Sequence, residues 1–426
     1  SGDTSFDMIG DVDEDFAVVE ELQIDDYSVI DEVAAGSPVV NMVNSIIQRA
    51  VRDGASDIHL EPFRSYSRIR FRIDGVLYEF TAPRAELHPA LVSRLKVMAN
   101  LDIAERRMPQ DGRIQVQTQG RSVDLRFSSL PGLHGEKVVL RILDKNQTIL
   151  DVNKLNMCEE NLTTFKTLLD ATHGLILVTG PTGSGKTTSL YAALNYLKSI
   201  EKNIVTIEDP VEYQLDIINQ NEVRGGIGLT FAKILKHVLR QDPDIVMVGE
   251  IRERETAEIA VQAALTGHLV LSTLHTNDAP SAFTRLMELG LPAYLIRSSG
   301  LGVMAQRLVR TLCPHCKVKE KVDEHAWKQL TAPWLVKTPE HVYAAKGCLE
   351  CRGTGYMGRM GIYEVMPMTE NLEMMINDQM DHIKLRQAAM KEGMHSLRLS
   401  GAHKVAAGMT TVAEVMRVAP LSRMQS

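Results

Sequence analysis

The sequence predicts an α/β protein, with a mixed α+β domain followed by a domain built on a parallel sheet. Over residues 36–148, a helical spacing of apolar residues gives way to alternating strand patterns. From about residue 155, short apolar strands alternate with helices, which is typical of a parallel sheet. A complete glycine-rich loop, Gly180–Thr187, stands between one such strand and the helix after it. The 426 residues suit two or three domains.

The composition excludes several protein classes. Apolar residues make up 44% and charged residues 24%, which is ordinary globular usage and excludes a collagenous, purely coiled-coil or wholly disordered chain. No run of 18 apolar residues occurs, so no membrane-spanning helix is expected. The five cysteines, with no export signal at the start, predict reduced thiols and a cytoplasmic location.

The net charge of −7 is concentrated near the N-terminus. Residues 1–48 hold twelve acidic residues and no Lys or Arg, which leaves 42 acidic against 47 basic residues from Arg49 onward. Acidic blocks of this kind are usually solvated, so residues 1–35 are predicted to be an acidic linker or a cloning remnant. The remainder is only slightly basic and aromatics are 5%, so no nucleic-acid partner is expected.

The first domain, residues 36–148, is predicted to begin with a helix and continue as a sheet. Ser37 supplies an N-cap and Pro38 a first helical position, and apolar residues follow at helical spacing as far as Val51. Alternation on both sides of Asp74–Gly75 predicts a β-hairpin. A helix over about 86–101 and strands near 113–118, 121–128 and 136–143 complete the prediction.

The second domain, residues 149–426, contains short apolar runs that predict buried strands. These runs are residues 175–179, 204–207, 245–248 and 269–273. A helix is predicted from Lys186 to about Ser199. Two Cys-x-x-Cys pairs bracket residues 313–351, and residues 369–426 are predicted to be mostly helical.

The glycine-rich loop predicts a nucleotide-binding site. It matches the pattern G-x-x-x-x-G-K-[ST] in full, and its glycines allow backbone N–H groups to converge on phosphate oxygens. Lys186 is expected to reach the β- and γ-phosphates of ATP, and the Thr187 hydroxyl is expected to bind Mg²⁺. The predicted nucleotide-binding residues are Gly180, Pro181, Thr182, Gly183, Ser184, Gly185, Lys186, Thr187 and Thr188.

Polar residues at the ends of other predicted strands are candidate catalytic groups. Glu250 is predicted to bind Mg²⁺ and to activate water, because Gly249 stands where an aspartate is more usual. Glu208 ends another strand and is a second candidate carboxylate. His268 and His275 flank one apolar strand and are predicted to sense the γ-phosphate. The alternative is that these side chains are solvated or structural.

Two cysteine pairs predict a structural zinc site. Two Cys-x-x-Cys turns can supply four thiolates to one tetrahedral Zn²⁺, which leaves no open position for water. The predicted ligands are Cys313, Cys316, Cys348 and Cys351. The gap between the pairs is longer than in a compact zinc ribbon, so a looped-out subdomain is expected. A redox pair is the alternative, and His315 and Cys158 are predicted to be bystanders.

Four ordered blocks carry a resemblance to a known family. They are GPTGSGKTT at 180–188, TIEDPVE at 206–212, DIVMVGEIRE at 244–253 and TGHLVLSTLHTN at 266–277. In these blocks the chain resembles the type II secretion/type IV pilus assembly ATPases (GspE/PilB-like), in which they form the Walker A motif, Asp box, Walker B motif and His box. ASDIHLEP at 55–62 and RFRIDGVLYE at 70–79 extend the resemblance into the first domain.

The resemblance implies a hexameric ring in which each subunit joins an N-terminal PAS-like domain to a RecA-like ATPase domain. It implies that Arg126 and Arg141 reach the phosphates of ATP bound between these domains, where arginine stabilises developing charge. The family's further N-terminal domain, which docks to membrane partners and through which a cytoplasmic adaptor would bind, is expected to be missing. Val223–Gly228 departs from the family pattern and receives no role.

The function implied by the resemblance is that of a cytoplasmic motor at the inner face of the bacterial inner membrane. Its expected partner is a membrane platform protein, so its contact with the membrane is expected to be indirect. The four cysteines favour an assembly or secretion motor over a pilus retraction motor. HTNDAP at 275–280 and CPHC at 313–316 favour type IV pilus assembly over type II secretion, which is the alternative.

Two functions of other classes are weighed against the motor. A nucleic-acid motor would need a basic channel or aromatic side chains on which bases stack. The excess of basic residues is too small and the aromatic residues are too few for either. A non-hydrolysing zinc adaptor would not need Lys186 and Glu250, which are both present.

Overall fold

The structure is a computed structural model that describes residues 17–18, 38–143 and 151–420. The chain divides into two compact units, Ser1–Thr148 and Ile149–Ser426. The acidic linker predicted for residues 1–35 lies outside the described residues, apart from Ala17–Val18. Among the described helices, none combines the length and the apolar character that crossing a bilayer requires.

The first unit places two helices on a seven-stranded antiparallel sheet in its described part. Its elements are β1 (Ala17–Val18), α1 (Pro38–Arg52), β2 (Asp57–Pro62), β3 (Ser67–Ile73), β4 (Val76–Thr81), α2 (His88–Met98), β5 (Gln110–Thr118), β6 (Arg121–Gly132) and β7 (Gly135–Leu143). The strand order is β1-β5-β6-β7-β2-β3-β4. Asp74 and Gly75 join β3 to β4 with φ of 51° and 83°, the left-handed conformations that a tight hairpin turn needs.

The core of the first unit lies between the two helices and one face of its sheet. Apolar residues alternate along β3, where Ile69, Phe71 and Ile73 are buried and the arginines between them are not. Ile47 of α1 and Leu91 of α2 belong to the same buried cluster. One face of the sheet is therefore committed to packing, and the other is left for polar and charged side chains.

The second unit is built on a second seven-stranded sheet. Its elements are α3 (Glu159–Leu169), β8 (Gly174–Thr179), α4 (Lys186–Leu197), β9 (Ile204–Glu208), β10 (Asn219–Glu222), α5 (Phe231–Val238), β11 (Ile245–Val248), α6 (Arg254–Leu265), β12 (Leu269–Leu274), α7 (Ser281–Glu288), α8 (Ala293–Ser299), β13 (Gly300–Leu312), β14 (Val318–Glu320), α9 (Glu324–Thr331), β15 (Val342–Ala344), β16 (Tyr356–Pro367), α10 (Glu370–Met375), α11 (His382–Lys391), α12 (Leu397–Ala406) and α13 (Val412–Val418).

Helices cover both faces of this sheet. The strand order is β10-β9-β11-β12-β8-β13-β16, and every neighbouring pair is parallel except β13 with β16. Successive residues of β8 enter different cores: Leu175 and Leu177 pack on the side of α6, whereas Ile176 and Val178 pack on the side of α4. All six residues of β8 are buried, which explains why this strand is continuously apolar.

The pair of β13 and β16 was not predicted from the sequence. These strands of 13 and 12 residues are hydrogen-bonded antiparallel from Gly302↔Pro367 to Leu312↔Tyr356. The segment between them contains a small two-stranded antiparallel sheet of β14 and β15, with α9 between these strands, and it carries both cysteine pairs. The predicted helical region after residue 369 is present in the described part as α10 to α13.

Candidate functional site

The glycine-rich loop joins β8 to α4 at the carboxyl edge of the parallel sheet. Gly180 follows the last residue of β8, and Lys186 is the first residue of α4. Gly180, Gly183 and Gly185 have φ of 155°, 78° and 86°, which side-chain-bearing residues rarely adopt. The loop therefore curls back over the N-terminus of a 12-residue helix, which is the arrangement that binds phosphate oxygens.

The close approach of β13 is a further reason why only glycine fits at positions 180 and 185. A Cβ on Gly180 would lie 2.6 Å from the Gln306 carbonyl oxygen and 2.5 Å from Ser184 Oγ. A Cβ on Gly185 would lie 2.7 Å from Gln306 Nε2. The buried Ser184 hydroxyl has no hydrogen-bond partner among the described residues. The loop is thus a cradle that a side chain would fill, and it fits the phosphates of a nucleotide.

The Lys186 ammonium lies against its own loop. Its Nζ donates to the carbonyl oxygens of Gly180 and Pro181, at 2.8 and 3.0 Å. Burial lowers the pKa of Lys186 to about 8, Glu250 opposes this shift, and Arg307 adds to it. The Glu250 carboxylate therefore acts electrostatically on the Lys186 ammonium.

Glu250 and His275 lie together beyond the ends of β11 and β12. His275 Nε2 is 2.6 Å from Glu250 Oε1, and Arg252 pairs with the other carboxylate oxygen. The following residue, Thr276, is hydrogen-bonded to Thr179 at the end of β8, with 2.6 Å between the two hydroxyl oxygens. These contacts hold the predicted Walker B carboxylate and one predicted histidine beside the loop.

The structure explains why glycine precedes Glu250. The Gly249 N–H donates to the Ile207 carbonyl oxygen of β9 at 2.7 Å, and its own carbonyl accepts from Thr273 Oγ1 at 2.7 Å. A Cβ on Gly249 would lie 3.1 Å from the Ile207 carbonyl oxygen and 3.4 Å from the Glu208 Cα. Close packing against β9 therefore favours glycine here, and the acidic group stands one residue later.

Glu208 ends β9 but is enclosed by polar neighbours. Its carboxylate accepts hydrogen bonds from Thr206 Oγ1 at 2.6 Å, from Gln220 Nε2 at 3.1 Å, and from the Tyr191 hydroxyl. The residue is only 3% exposed. Burial raises the pKa of Glu208 against the opposing effect of these donors. These three donors occupy three of the about four acceptor positions on the two carboxylate oxygens, which leaves little capacity for a metal or a water.

The two predicted histidines lie at opposite ends of β12. His275 follows the strand, whereas His268 precedes it and is bonded through Nδ1 to the Ala263 carbonyl oxygen at 2.9 Å. The backbone carbonyl of His268 accepts from Gly174 N at the start of β8. Six residues of strand span about 20 Å, so one phosphate cannot contact both histidines of a single chain. This placement corrects the prediction that both sense the γ-phosphate.

In the first unit, charged residues form a row across the sheet. Arg113, Arg126 and Arg141 pair directly across β5, β6 and β7, and Asp57 and Arg72 continue the row on β2 and β3. Directly paired residues share a face, and their neighbours in sequence form the core on the other face. Arg141 Nε lies 3.3 Å from Asp57 Oδ1. The row itself holds four guanidinium groups and one carboxylate, and this excess of positive charge suits a phosphate ligand.

The four predicted zinc ligands converge. Their sulfur atoms all lie within 4.8 Å of one another. Three of the S···S distances are 3.9 Å (Cys313 to Cys348), 3.7 Å (Cys316 to Cys351) and 3.7 Å (Cys348 to Cys351). A tetrahedron with Zn–S bonds of about 2.3 Å requires S···S distances of about 3.8 Å, and these three distances match it.

Backbone amides support this cluster. The N–H groups of Cys348 and Gly355 both donate to Cys351 Sγ at 3.1 Å. Burial raises the pKa of the Cys351 thiol, but these backbone donors outweigh it and lower the pKa overall. The thiolate form that binds metal is therefore favoured at this position.

Sequence reasoning missed the polar residues of β13. Gln306 is 2% exposed and its Oε1 accepts from Ser189 Oγ at 2.7 Å, which fixes α4 against the strand. Arg307 donates to the carbonyl oxygens of Gln306 and Asn277, at 2.9 and 2.7 Å. The available signal was a Gln-Arg pair inside an apolar run, because polar residues buried in such a run need specific partners.

Comparisons with known proteins agree on one family. A family model described as "Type II/IV secretion system protein" matches residues 32–417. The type II secretion system ATPase E of Vibrio cholerae serotype O1 is 49% identical over 416 residues, which are 97% of this chain and 81% of that protein. The type IV pilus assembly ATPase PilB of Myxococcus xanthus is 48% identical over 412 residues, which are 96% of this chain and 73% of that protein.

Solved structures show the same relationship. A crystal structure of the pilus retraction motor PilT with bound ADP has a TM-score of 0.59 and 26% identity, and the match covers 89% of this chain and 97% of that one. The ATPase DotB of Legionella pneumophila has a TM-score of 0.65 at 18% identity, over 88% of this chain and 95% of that one. The second likeness concerns the fold alone.

Proposed function

Because the chain belongs to the type II/IV secretion system protein family, we propose that it is an ATP-hydrolysing motor that powers type IV pilus assembly. Similar proteins are named as secretion and pilus-assembly ATPases, which supports both the hydrolysis and the class of motor. One observation in the structure carries the proposal. The complete phosphate-binding loop ends β8, and Glu250 and His275 follow the two next strands of the same sheet.

ATP would bind with its phosphates in the loop Gly180–Thr188. The backbone N–H groups of the loop and the N-terminus of α4 would face the phosphate oxygens. Lys186 would exchange its two carbonyl partners for the β- and γ-phosphates. Thr187 and Glu250 would hold Mg²⁺, which neutralises the charge that develops on the phosphates.

Glu250 is the residue to which we assign the attacking water. The Glu250 side chain is 14% exposed, so a water molecule can approach its carboxylate. His275 and Arg252 fix the orientation of this carboxylate. His275 can then respond to the γ-phosphate through Glu250. For Glu208 the predicted catalytic role remains open to test, because its carboxylate already has three donors. His268 receives no role at the loop of its own chain.

The first unit is proposed to be a PAS-like domain that supplies arginines to the nucleotide. Arg126 and Arg141 are paired directly across β6 and β7 in the charged row, and this supports a common phosphate ligand. The second unit is proposed to be a RecA-like ATPase domain. Within it, residues 313–351 would form the zinc subdomain and residues 369–426 a helical C-terminal region, while residues 1–35 would be a linker.

The motor is proposed to work as a homo-hexameric ring at the inner face of the bacterial inner membrane. Its partner would be a membrane platform protein, with a cytoplasmic adaptor bound through a further N-terminal domain. Zn²⁺ held by the four cysteines would be structural, because four protein ligands leave no position for a substrate. Type II secretion is the second candidate, since relatives of that system are equally similar in sequence.

Steady-state phosphate release with Mg-ATP, measured together with mass by light scattering, tests the motor. We expect turnover that rises with protein concentration, a hexamer mass with nucleotide bound, and loss of turnover in Lys186→Ala. A monomer that hydrolyses ATP equally fast per chain would contradict the ring. Retention of turnover in Lys186→Ala would contradict the assignment of the loop.

The choice between a pilus and a secretion system needs a cellular test. The gene would be deleted in its host, and surface pili and secreted enzymes would be counted with and without a plasmid copy. We expect pili to disappear and to return with the plasmid, while secretion continues. The opposite pattern would assign the chain to type II secretion.

A further inference from the structure

A second group of metal-binding side chains lies away from both sites described above. Each of three side chains offers one ligand atom, and these atoms lie within 4.8 Å of one another. The side chains are those of Cys158, Glu160 and His395. The ring of a second histidine, His403, stands nearly perpendicular to that of His395, with 5.7 Å between the ring centroids. Cys158 was predicted to be a bystander.

Hydrogen bonds to one residue of β16 position the elements that carry these side chains. Cys158 is the N-cap residue of α3, and Asn161 in its first turn donates through Nδ2 to the Tyr363 carbonyl oxygen at 3.2 Å. Ser400 of α12 accepts from the Tyr363 N–H at 3.1 Å, and His395 directly precedes the N-cap of that helix. The start of α3 and the start of α12 are therefore fixed to the same point of the sheet.

The spacing allows a single ion to contact all three groups. Three points that are mutually within 4.8 Å have a common point within about 2.8 Å of each. Zinc takes ligands at about 2.0–2.3 Å, so rotamer adjustments of less than 1 Å would close the site. His395 Nδ1 is also buried without a hydrogen-bond partner in the described part of the chain.

The donor set defines the class of metal. One sulfur, one imidazole nitrogen and one carboxylate oxygen suit Zn²⁺ and similar borderline ions, whereas Ca²⁺ and Mg²⁺ prefer oxygen alone. We propose that Cys158, Glu160 and His395 form a second transition-metal site of the zinc class, with the fourth position filled by His403 or water. This site is separate from the four-cysteine cluster and shares no ligand with it.

Two charged groups bear on binding at this site. Metal binding would release the thiol proton of Cys158 to solvent as the S–metal bond forms. The Lys404 ammonium donates to the Asn156 carbonyl oxygen and lies close enough to Cys158 to favour its thiolate. Without metal, the same geometry would be a thiol-to-carboxylate hydrogen bond between Cys158 and Glu160, and this is the competing interpretation.

Metal content separates the two interpretations. The full chain is saturated with zinc, dialysed against buffer, and its zinc per chain is measured by plasma mass spectrometry. We expect two equivalents for the wild type and for the control His325→Ala, whose ring lies exposed on α9. We expect one equivalent for Cys158→Ser and for Glu160→Gln, with unchanged circular dichroism. One equivalent in all four proteins would overturn the proposal.

Cadmium NMR keeps the proposal testable if the variants fold poorly. With ¹¹³Cd²⁺ bound to the wild type, a four-sulfur site and a one-sulfur site give well-separated resonances. Two resonances, of which the mixed-ligand one shifts in His403→Ala if His403 is a ligand, support the second site. A single four-sulfur resonance at two equivalents of cadmium would show that Cys158, Glu160 and His395 do not bind metal.

Discussion

Two carboxylates at the ends of neighbouring strands have very different surroundings. Glu208 of β9 is buried and already accepts hydrogen bonds from Thr206, Gln220 and Tyr191. Glu250, just beyond β11, is partly open to solvent, and its partners are the two cationic or ionisable side chains Arg252 and His275. The surrounding hydrogen-bond donors therefore decide what an acid at the end of a strand can do, because a carboxylate needs free acceptor positions to bind a metal or water.

The largest expected difference between the two carboxylates is in turnover. Glu250→Gln should lower kcat for ATP hydrolysis by about 10²–10⁴-fold, since general base catalysis of that size is lost. Binding of ATP should be retained, because the loop is intact. Phosphate release under saturating Mg-ATP measures the effect, with Glu208→Gln as the matched control. Equal losses in both variants would mean that the two carboxylates act together in the chemistry.

The second expected difference is in stability. Glu208→Gln should lower the free energy of unfolding by about 1–3 kcal/mol, because the new amide oxygen can keep the bonds from Thr206 and Gln220 but the new NH₂ replaces the oxygen that accepts from the Tyr191 hydroxyl. Glu250→Gln should change it much less. Urea unfolding of both variants makes the measurement. Unchanged stability together with lost turnover in Glu208→Gln would instead support its predicted catalytic role.

The sequence was sufficient for the phosphate-binding loop but not for this contrast. Gly180–Thr188 is contiguous, and its function depends on its own backbone, so the pattern alone predicts it. The environment of Glu208 depends on Tyr191 and Gln220, which other elements bring to the end of β9. Both acids follow apolar strands, and nothing local distinguishes them.

The same reasoning explains the other differences between prediction and structure. His268 and His275 are close in sequence, but an extended strand separates them. The strands β13 and β16 pair across an insertion that contains the cysteine pairs, so their partners are not evident from spacing. The four cysteines were predictable because two Cys-x-x-Cys pairs limit the possible ligands, and the structure brings all four together.

The pH dependence of ATP binding, which is set by Lys186, is a further test of the contrast between Glu208 and Glu250. Burial lowers its pKa to about 8, so the ammonium that holds the phosphates is lost as pH rises through that value. The ATP dissociation constant should therefore rise about tenfold between pH 7 and pH 9. Titration calorimetry across this range measures it, and a flat profile in Lys186→Arg is the control.

The two carboxylates should affect this profile differently. The Glu250 carboxylate raises the pKa of Lys186, so Glu250→Gln should move the loss of binding to lower pH. Glu208 is not among the groups that perturb Lys186, so Glu208→Gln should leave the profile in place. A shift of equal size in both variants would contradict the different positions described for them.

The smallest expected effect concerns the hydroxyl that donates to Glu208. Tyr191→Phe should lower the free energy of unfolding by about 1 kcal/mol, because the hydroxyl donates to Glu208 and accepts two longer bonds from Glu212 N and Gln220 Nε2, and all three are lost. The control is Tyr196→Phe, which removes a hydroxyl bonded to Asp170 on the surface and should have a smaller effect. Thermal unfolding of both variants makes the comparison. An equal loss in the two would show that Glu208 does not depend on Tyr191.

One strand links the nucleotide loop to the four-cysteine cluster. Gln306 lies beside Gly180 and Gly185 in the middle of β13, and Cys313 follows the last residue of the same strand. The distance along the strand is about 23 Å, and β16 is bonded along most of it. A displacement of the four-cysteine cluster would therefore be transmitted along β13, which is paired with β16 over this stretch, to the wall of the phosphate-binding loop.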